Sequence, residues 1–328
     1  MRVLVTGGSG FLGSHVAELL HGEGHEVACL VRKSSDTTFL RSLGVKLVEG
    51  AVDDESTLPA AVDGAEAIVH CAGLVKARTM ADFDRVHTGG TLGLARAALE
   101  TKAPLKRFVH VSTSGVMGLG AAGKKHQVTD EPAPRTSYDK SKLSAERALL
   151  ELAGELPLTV LRPPAIYGPR DREILAFFQM VRRTRVAIRM GRSMQSVSMI
   201  FATDCARACE RAIFADVPSG SVYFVDDGNV YAYEEMARAI ADAYGIKLLG
   251  MPSLPAPIVT AAAAASEAFG KVTNKVMMFT RDKLPMLLAE HFVIDSSQAR
   301  ADLGWAPTVS FAEGARRTAA WYREHRWD

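Results

Sequence analysis

Met1-Arg-Val-Leu-Val-Thr-Gly-Gly-Ser-Gly-Phe-Leu-Gly13 opens the chain and decides its architecture. Val3, Leu4 and Val5 form a short apolar run bounded by glycines, the pattern of a buried parallel strand. From position 11 onward, Phe11, Leu12, Val16, Leu19 and Leu20 fall on one broad helical face. Between strand and helix stand Gly7, Gly10 and Gly13, two residues apart in each case. Gly7 suits the dihedrals of a tight turn, Gly10 lets backbone approach a pyrophosphate, and Gly13 lets the helix lie close on the strand. The helix N-terminus, with its free N–H groups and partial positive charge, faces such phosphates. The context of strand, glycine turn and helix predicts a dinucleotide-binding unit, where three glycines alone would fit an ordinary βα turn. The spacing is one residue longer than the commoner G-x-G-x-x-G.

Further strands are expected at 26–31, 45–48 and 67–70, with helical segments near 36–43 and 55–62 between them. A long helix over 80–101 carries Gly89, Gly90 and Gly93, which mark close packing against cofactor or a neighbouring helix. A fifth strand at 107–112, a Gly, Lys and Pro-rich loop at 115–135, a helix at 137–153 and a sixth strand at 158–162 follow. This alternation implies an α/β fold with a doubly wound parallel sheet, right-handed crossovers and helices on both faces. Prolines at 163, 164 and 169 then break the regularity. Residues 1–163 are expected to form the dinucleotide-binding core, and 164–328 mainly a smaller α/β substrate lobe interwoven with the core sheet. An Ala-rich helix near 258–269 is expected to pack on the body, and the tail at 311–327 is amphipathic, with Trp321, Tyr322 and Trp327 as anchors.

The 328 residues, 48% of them hydrophobic, can bury a sizeable core. With 39 basic against 37 acidic residues, the net charge is +2, and no basic stripe with interleaved aromatics points to nucleic acid. No apolar run reaches the length of a membrane span. The chain opens on a strand with no basic, apolar or cleavage segment before it, so a cytoplasmic location is expected. Cys29, Cys71, Cys205 and Cys209 are scattered and lack accompanying ligands, so free thiols and no metal are expected.

Tyr138-Asp-Lys-Ser-Lys142 starts the helix after the loop. Residues four apart share a helix face. A lysine ammonium beside a phenol favours the phenolate by on the order of 4 kcal/mol at about 4 Å in an effective dielectric of about 20. That predicts a tyrosine tuned down from its reference of about 10, able to trade a proton with a carbonyl or carbinol oxygen. Ser112, Thr113 and Ser114 end the fifth strand, where ligands of open parallel sheets bind. A hydroxyl there can align the substrate oxygen.

These residues resemble an extended short-chain dehydrogenase/reductase of the epimerase/dehydratase type, a Rossmann-fold group. The resemblance rests on Thr6 to Gly13, His70-Cys-Ala-Gly73, Val111-Ser-Thr-Ser-Gly-Val-Met-Gly118, Tyr138 to Lys142, Leu161-Arg-Pro-Pro-Ala-Ile-Tyr-Gly-Pro169 and Asp302-Leu-Gly-Trp-Ala-Pro307. It implies Tyr138 as acid/base, Lys142 as its electrostatic partner and ribose ligand, and Thr113 as the aligning hydroxyl. It implies cofactor contacts from Gly7, Gly10, Phe11, Leu12 and Gly13. Others are implied from Ala72 and Gly73, and from Pro163, Ala165 and Ile166 beside the nicotinamide. The family also implies a homodimer through helices near 80–101 and 137–153.

The departures from the family pattern carry information. NAD-using members have an acid after the second strand, whereas here the stretch is Leu30-Val-Arg-Lys33. Arg32 and Lys33 suit a 2′-phosphate and favour NADP(H), with NAD(H) still possible. Gly50-Ala-Val52 replaces the usual Gly-Asp-Leu, leaving only the Val52 backbone for adenine. His87 stands where Asn is usual, as a site hydrogen-bonder or a helix-packing residue. No arginine precedes Asp204, and Met117 replaces a frequent Tyr. Substrate contacts are expected from Ser114, Met117, Ile174 and Phe178. An apolar lining suits a ketone or secondary alcohol, as in the dihydroflavonol-reductase and 3β-hydroxysteroid-dehydrogenase branch. A sugar-nucleotide epimerase or dehydratase with tightly held cofactor is the enzyme alternative, and a non-catalytic NAD(P) sensor the lesser one.

Overall fold

Seven parallel strands form the central sheet of the computed structural model, which describes residues 1–101, 104–277 and 279–328. The first half alternates β1 (Arg2–Thr6), α1 (Phe11–Gly22), β2 (Glu26–Val31), α2 (Thr38–Leu43) and β3 (Lys46–Glu49). It continues with α3 (Leu58–Val62), β4 (Ala67–His70), α4 (Met80–Asp84), α5 (Gly90–Glu100), β5 (Arg107–Val111), α6 (Ser137–Leu150) and β6 (Leu158–Arg162). The second half returns one strand, Ser221–Phe224, to the edge beside β6. The sheet order is that edge strand, β6, β5, β4, β1, β2, β3. The order reverses between β1 and β4, which opens a crevice at their carboxyl ends.

Alternation along β1 feeds two cores. Val3 and Val5 pack toward α1 and the helix Ala202–Phe214, while Leu4 packs with Ile68, Leu94, Phe108 and Leu149 on the opposite face. A third core builds the C-terminal lobe from Tyr167, Phe178, Met236, Phe311 and Tyr322. Cys29, Cys205 and Cys209 are buried free thiols, and Cys71 is free and half-buried. Among the described residues, no helix is long and apolar enough to cross a membrane, and no cluster of ligand side chains could hold a metal.

Two expectations need correction. The helix expected over 80–101 is divided: a π turn at Arg85–Gly89 separates α4 from α5. Its glycines pack against neighbouring elements, since a Cβ on Gly90 would stand 2.9 Å from Val52 and one on Gly93 3.1 Å from Leu58. The Ala-rich helix runs Ala256–Thr273 but buries only Val259, Ala263 and Gly270. Ile258, Phe269 and Val272 are exposed, because the body meets a single narrow line of small side chains.

α6 is seated by polar anchors. Thr136 caps its start, accepting from the Asp139 N–H at 3.1 Å. Near its middle, Glu146 pairs with Arg162 at the end of β6, with side chains only 1% and 6% exposed. Arg162 Nε donates to Glu146 Oε2 at 3.1 Å, and the second guanidinium arm reaches the other oxygen. Removing one partner leaves the other charge buried and unpaired. Glu146→Ala should therefore cost about 3–5 kcal/mol of folding stability by urea denaturation. A loss below about 1 kcal/mol would show that the pair does not anchor the helix.

Candidate active site

The carboxyl ends of β1, β4, β5 and β6 open on a groove of about 920 Å³. Gly7, Gly10, Phe11, Leu12 and Gly13 line one wall. Gly7 has φ +72°, and a Cβ there would stand 2.8 Å from the Ala72 nitrogen. A Cβ on Gly13 would collide with the Gly7 carbonyl. Gly10 is exposed at the N-terminus of the 12-residue α1, and its N–H donates to the Gly7 carbonyl at 2.8 Å. The cradle is thus bare backbone with a helix N-terminus behind it, and it fits a pyrophosphate.

Gly73, Pro163 and Ile166 also line the groove, whereas Ala72, Ala165 and Val52 do not. Ala165 is exposed, the Ala72 N–H turns to Thr6 Oγ1 at 3.3 Å, and Val52 is buried under Gly90. Arg32 and Lys33 follow β2, exposed and outside the groove wall.

Thr113, Tyr138 and Lys142 come together on this groove from β5 and α6. Lys142 is buried, and its Nζ donates to the Val111 carbonyl at 2.6 Å. Thr113 Oγ1 accepts from the Gly115 N–H at 3.1 Å, which leaves the hydroxyl proton free to donate. The Tyr138 ring meets Phe83 and His87 edge-on, with centroids 6.2 and 5.6 Å away. This packing desolvates the phenol and pushes its pKa up, and the neighbouring Asp139 carboxylate adds to the rise. The net shift is thus upward, against the downward one expected from Lys142, and burial lowers the lysine itself to about 8. The phenol is accordingly a proton donor at neutral pH.

His87 is an organising residue whose alternatives the sequence left open. The Leu74 N–H donates to its Nε2 at 2.8 Å, so the ring proton sits on Nδ1, 2.7 Å from Ser141 Oγ. Ser141 in turn donates to the Tyr138 carbonyl at 2.8 Å. The chain links the strip after β4 to the turn of α6 that carries the tyrosine. Burial, and next the Lys142 charge, hold the His87 pKa down at about 3. His70 is likewise lowered to about 3 and lies between Thr6 Oγ1 (2.6 Å) and Thr91 Oγ1 (2.8 Å). His110, its partner across the β4–β5 ladder, is buried and pushed well down.

The expected substrate residues lie elsewhere. Met117 is buried and takes a contact from Arg162 Nη1 at its Sδ, 3.4 Å away. Phe178 is wholly buried, edge-on to Tyr322, and Ile174 packs against the same lobe core. Ser114 is buried, with its N–H donating to the Pro163 carbonyl at 2.8 Å. None of the four borders the groove. For Phe178 the reason is that the helix Leu175–Thr184 turns its apolar face to the helix Tyr233–Tyr244 and to Tyr322 rather than to the crevice. The groove mouth is lined instead by Phe39, Arg170, Arg172, Trp321, His325 and Trp327. Trp321 stacks on His325 at 4.0 Å, and Arg170 lies 4.1 Å over Phe39. The aromatic tail residues were legible as anchors, but not as groove residues.

Comparison with known proteins identifies the family. The family model described as "NAD dependent epimerase/dehydratase family" matches residues 3–225. Ceramide reductase of Caulobacter vibrioides is 33% identical, covering 99% of this chain and 95% of that protein. The 2-alkyl-3-oxoalkanoate reductase of Stenotrophomonas maltophilia is 28% identical over 98% of this chain and 99% of its own length. The crystal structure of a UDP-glucose 4-epimerase from Thermotoga maritima superposes with a TM-score of 0.81 at 23% identity. It covers 99% of this chain and 100% of that one. At that identity the likeness speaks for the fold alone.

The hydrogen-bonded, buried His87 should stay a neutral Nδ1–H tautomer from pH 8 down past pH 5. Long-range ¹H–¹⁵N correlation spectra would check this. A titration near the ordinary histidine value of about 6.5 would contradict the network.

Proposed function

The chain belongs to the NAD dependent epimerase/dehydratase family, and we propose that within it the protein is an NADPH-dependent ketoreductase. It is an NAD(P)-dependent oxidoreductase of the extended short-chain dehydrogenase/reductase type. The observation that carries the finer reading is the convergence of Thr113, Tyr138 and Lys142 on the groove that holds the glycine cradle. The relatives named for reducing ceramide and 2-alkyl-3-oxoalkanoate support an apolar carbonyl substrate.

In this reading the backbone of Gly7, Gly10, Phe11, Leu12 and Gly13 holds the pyrophosphate, Lys142 the ribose, and Gly73, Pro163 and Ile166 border the nicotinamide. When bound, the dinucleotide supplies hydride to the carbonyl carbon. Thr113 donates to the carbonyl oxygen and orients it. Tyr138 passes its phenolic proton to that oxygen as negative charge develops there. The raised pKa of the phenol keeps this proton in place at neutral pH, which suits reduction. The Lys142 ammonium then favours the phenolate left behind, until solvent returns the proton. Lys142 carries that charge only below its pKa of about 8.

Two predictions test the assignment. Tyr138→Phe should lower the NADPH-dependent reduction of an apolar ketone by about 10²–10⁴-fold while NADPH still binds. In the wild-type protein, kcat/KM for reduction should fall as pH rises through about 8, because Lys142 loses its proton there. Unchanged turnover in Tyr138→Phe would remove the tyrosine from the chemistry. Interconversion of nucleotide sugars with no added NADPH consumed would decide for the epimerase reading.

The phosphate preference rests on Arg32 and Lys33. Both stand exposed just past β2, and among the described residues neither has a carboxylate within 4.0 Å. Of the three acids that line the groove, Asp36 is the one that follows β2, and it accepts from the Thr38 N–H at 3.0 Å. A charge-assisted contact contributes about 1.5–3 kcal/mol. Arg32→Ala should therefore weaken NADPH binding about tenfold to a hundredfold in calorimetric titration, with NADH affinity held. Equal wild-type affinities for the two cofactors would overturn the preference.

A further inference from the structure

A second cavity, of about 500 Å³, lies beside the start of α6, between residues 76–83 and the C-terminal end of the helix Ala256–Thr273 with the loop that follows. It is not part of the cofactor groove, yet it adjoins Tyr138. Ser137 and Phe83 line it, and the Phe83 ring stands 6.2 Å from the Tyr138 ring.

Its charge is one-sided. Lys76, Arg78, Lys271, Lys275 and Lys283 all line it. The two acids in its wall, Glu267 and Asp282, are already engaged. Glu267 accepts from the Arg281 N–H at 2.7 Å and from its Nε at 2.8 Å. Asp282 accepts from the Ser137 N–H at 3.1 Å and from its Oγ at 2.9 Å. Arg78 is fixed in place, with Nη2 donating to the Asn274 carbonyl at 2.8 Å, and so ties the two walls together. Among the described residues, the four lysines have no carboxylate within 4.0 Å. Lys271 sits in the last turn of its helix, where the helix dipole favours a cation. That accounts for one charge and leaves three. Lys283 is half-buried; burial pulls its pKa down, although the nearby carboxylates of Glu173 and Asp282 push the other way, and the Lys76 charge lowers it further. Met80, Phe83, Val276 and Met277 give the wall an apolar part, beside the polar Thr79, Ser137, Asn274 and Thr280.

We propose that this cavity receives the carboxylate end of an amphiphilic carbonyl substrate whose ketone lies at Tyr138. The inference rests on the ketoreductase reading and narrows it. The cations supply the charge, and Met80, Met277 and Phe83 supply apolar surface for the carbon chain on the side of the cavity nearest Tyr138. A neutral ketone of the same length loses the ionic contact and keeps the apolar one, so the cavity discriminates by charge.

The test uses the full-length protein and the double variant Lys271→Glu/Lys275→Glu, whose changes fall on exposed side chains. With NADPH, kcat/KM for 9-oxodecanoate should exceed that for its methyl ester by about tenfold at low salt. The ratio should fall toward one at high salt and in the double variant. Equal kcat/KM for acid and ester in the wild-type protein, or a ratio unmoved in the variant, would overturn the proposal. Decanoate binding, read by calorimetry without any turnover, separates the cavity from the chemistry. If no ketone is reduced, the ketoreductase reading falls. Saturable decanoate binding that weakens about tenfold in the variant would still support a carboxylate site, whereas equal binding to both proteins, or no preference over decanol, would refute it. Uridine diphosphate held by the same lysines in place of decanoate would refute it too, and would point to a nucleotide-sugar enzyme.

Discussion

The buried pair between Glu146 and Arg162 fixes the height and rotation of α6 on the sheet, and the candidate site depends on that placement. Tyr138, Lys142 and Glu146 are spaced by four, so one helix face carries the phenol, the ammonium and the anchor. That face lies over the ends of β5 and β6, where the Val111 carbonyl takes the lysine and Arg162 takes the glutamate. The cap at Thr136 holds the same helix at its first turn. A face with three such attachments has little freedom to roll, and rolling would carry the phenol off the groove. Isolated buried ion pairs are poor sources of net stability, since desolvation offsets most of their attraction. Here the pair's consequence is orientation: a guanidinium fork accepts a carboxylate in few geometries.

The electrostatics around Lys142 follow from burial more than from pairing. Among the described residues no carboxylate lies within 4.0 Å of its Nζ, and the ammonium is held by a backbone carbonyl. Three histidines near it, His70, His87 and His110, are driven neutral by burial first and by the lysine's own charge second. The cluster therefore carries one positive charge over the neutral pH range, and only one. Were any imidazole protonated there, the lysine would lose its proton more readily, and the stabilisation available to a phenolate would shrink. His70 and His87, both neutral, serve as rigid hydrogen-bonding spacers, where sequence inspection would sooner cast them as acids or bases.

The sheet, the glycine cradle and the Tyr138–Lys142 spacing were legible in the sequence because each is a local pattern. Strand periodicity, turn chemistry and helical repeat are set by residues within a few positions of one another. The failures share the opposite property. Met117 and Phe178 are as apolar as pocket residues must be, and apolarity cannot say whether a side chain faces a crevice or a neighbouring helix. Phe178 is decided by Tyr322, 144 residues downstream (322 − 178). Trp321, His325 and Trp327 line the groove from the last helix and the residues just after it, and that helix packs on the helix Tyr233–Tyr244 of the C-terminal lobe. The Ala-rich helix misled for another reason. Over its first ten residues, Ala256–Ala265, only Thr260 is polar, so no polar face marks the outer side and the composition gives no direction of burial there.

The π turn at Arg85–Gly89 shows how a break in regular structure creates the site. A continuous α-helix over 80–100 would advance each side chain by the same angle, and one extra residue in a turn resets that angle for everything before it. With the turn in place, Phe83 and His87 both meet Tyr138 edge-on. His87 at the same time faces Leu74 on one side and Ser141 on the other. Gly73 accommodates this, since a Cβ there would stand 3.0 Å from His87 Nε2. Gly90 accommodates the other end, letting α5 close on Val52. The glycines, the irregular turn and the histidine thus form one device. Its consequence is that the strip after β4, which borders the cofactor groove, and the first turn of α6, which carries the phenol, are joined by direct hydrogen bonds rather than through the sheet. A change that straightened the helix would leave the fold's layers in place and still uncouple the groove wall from the tyrosine.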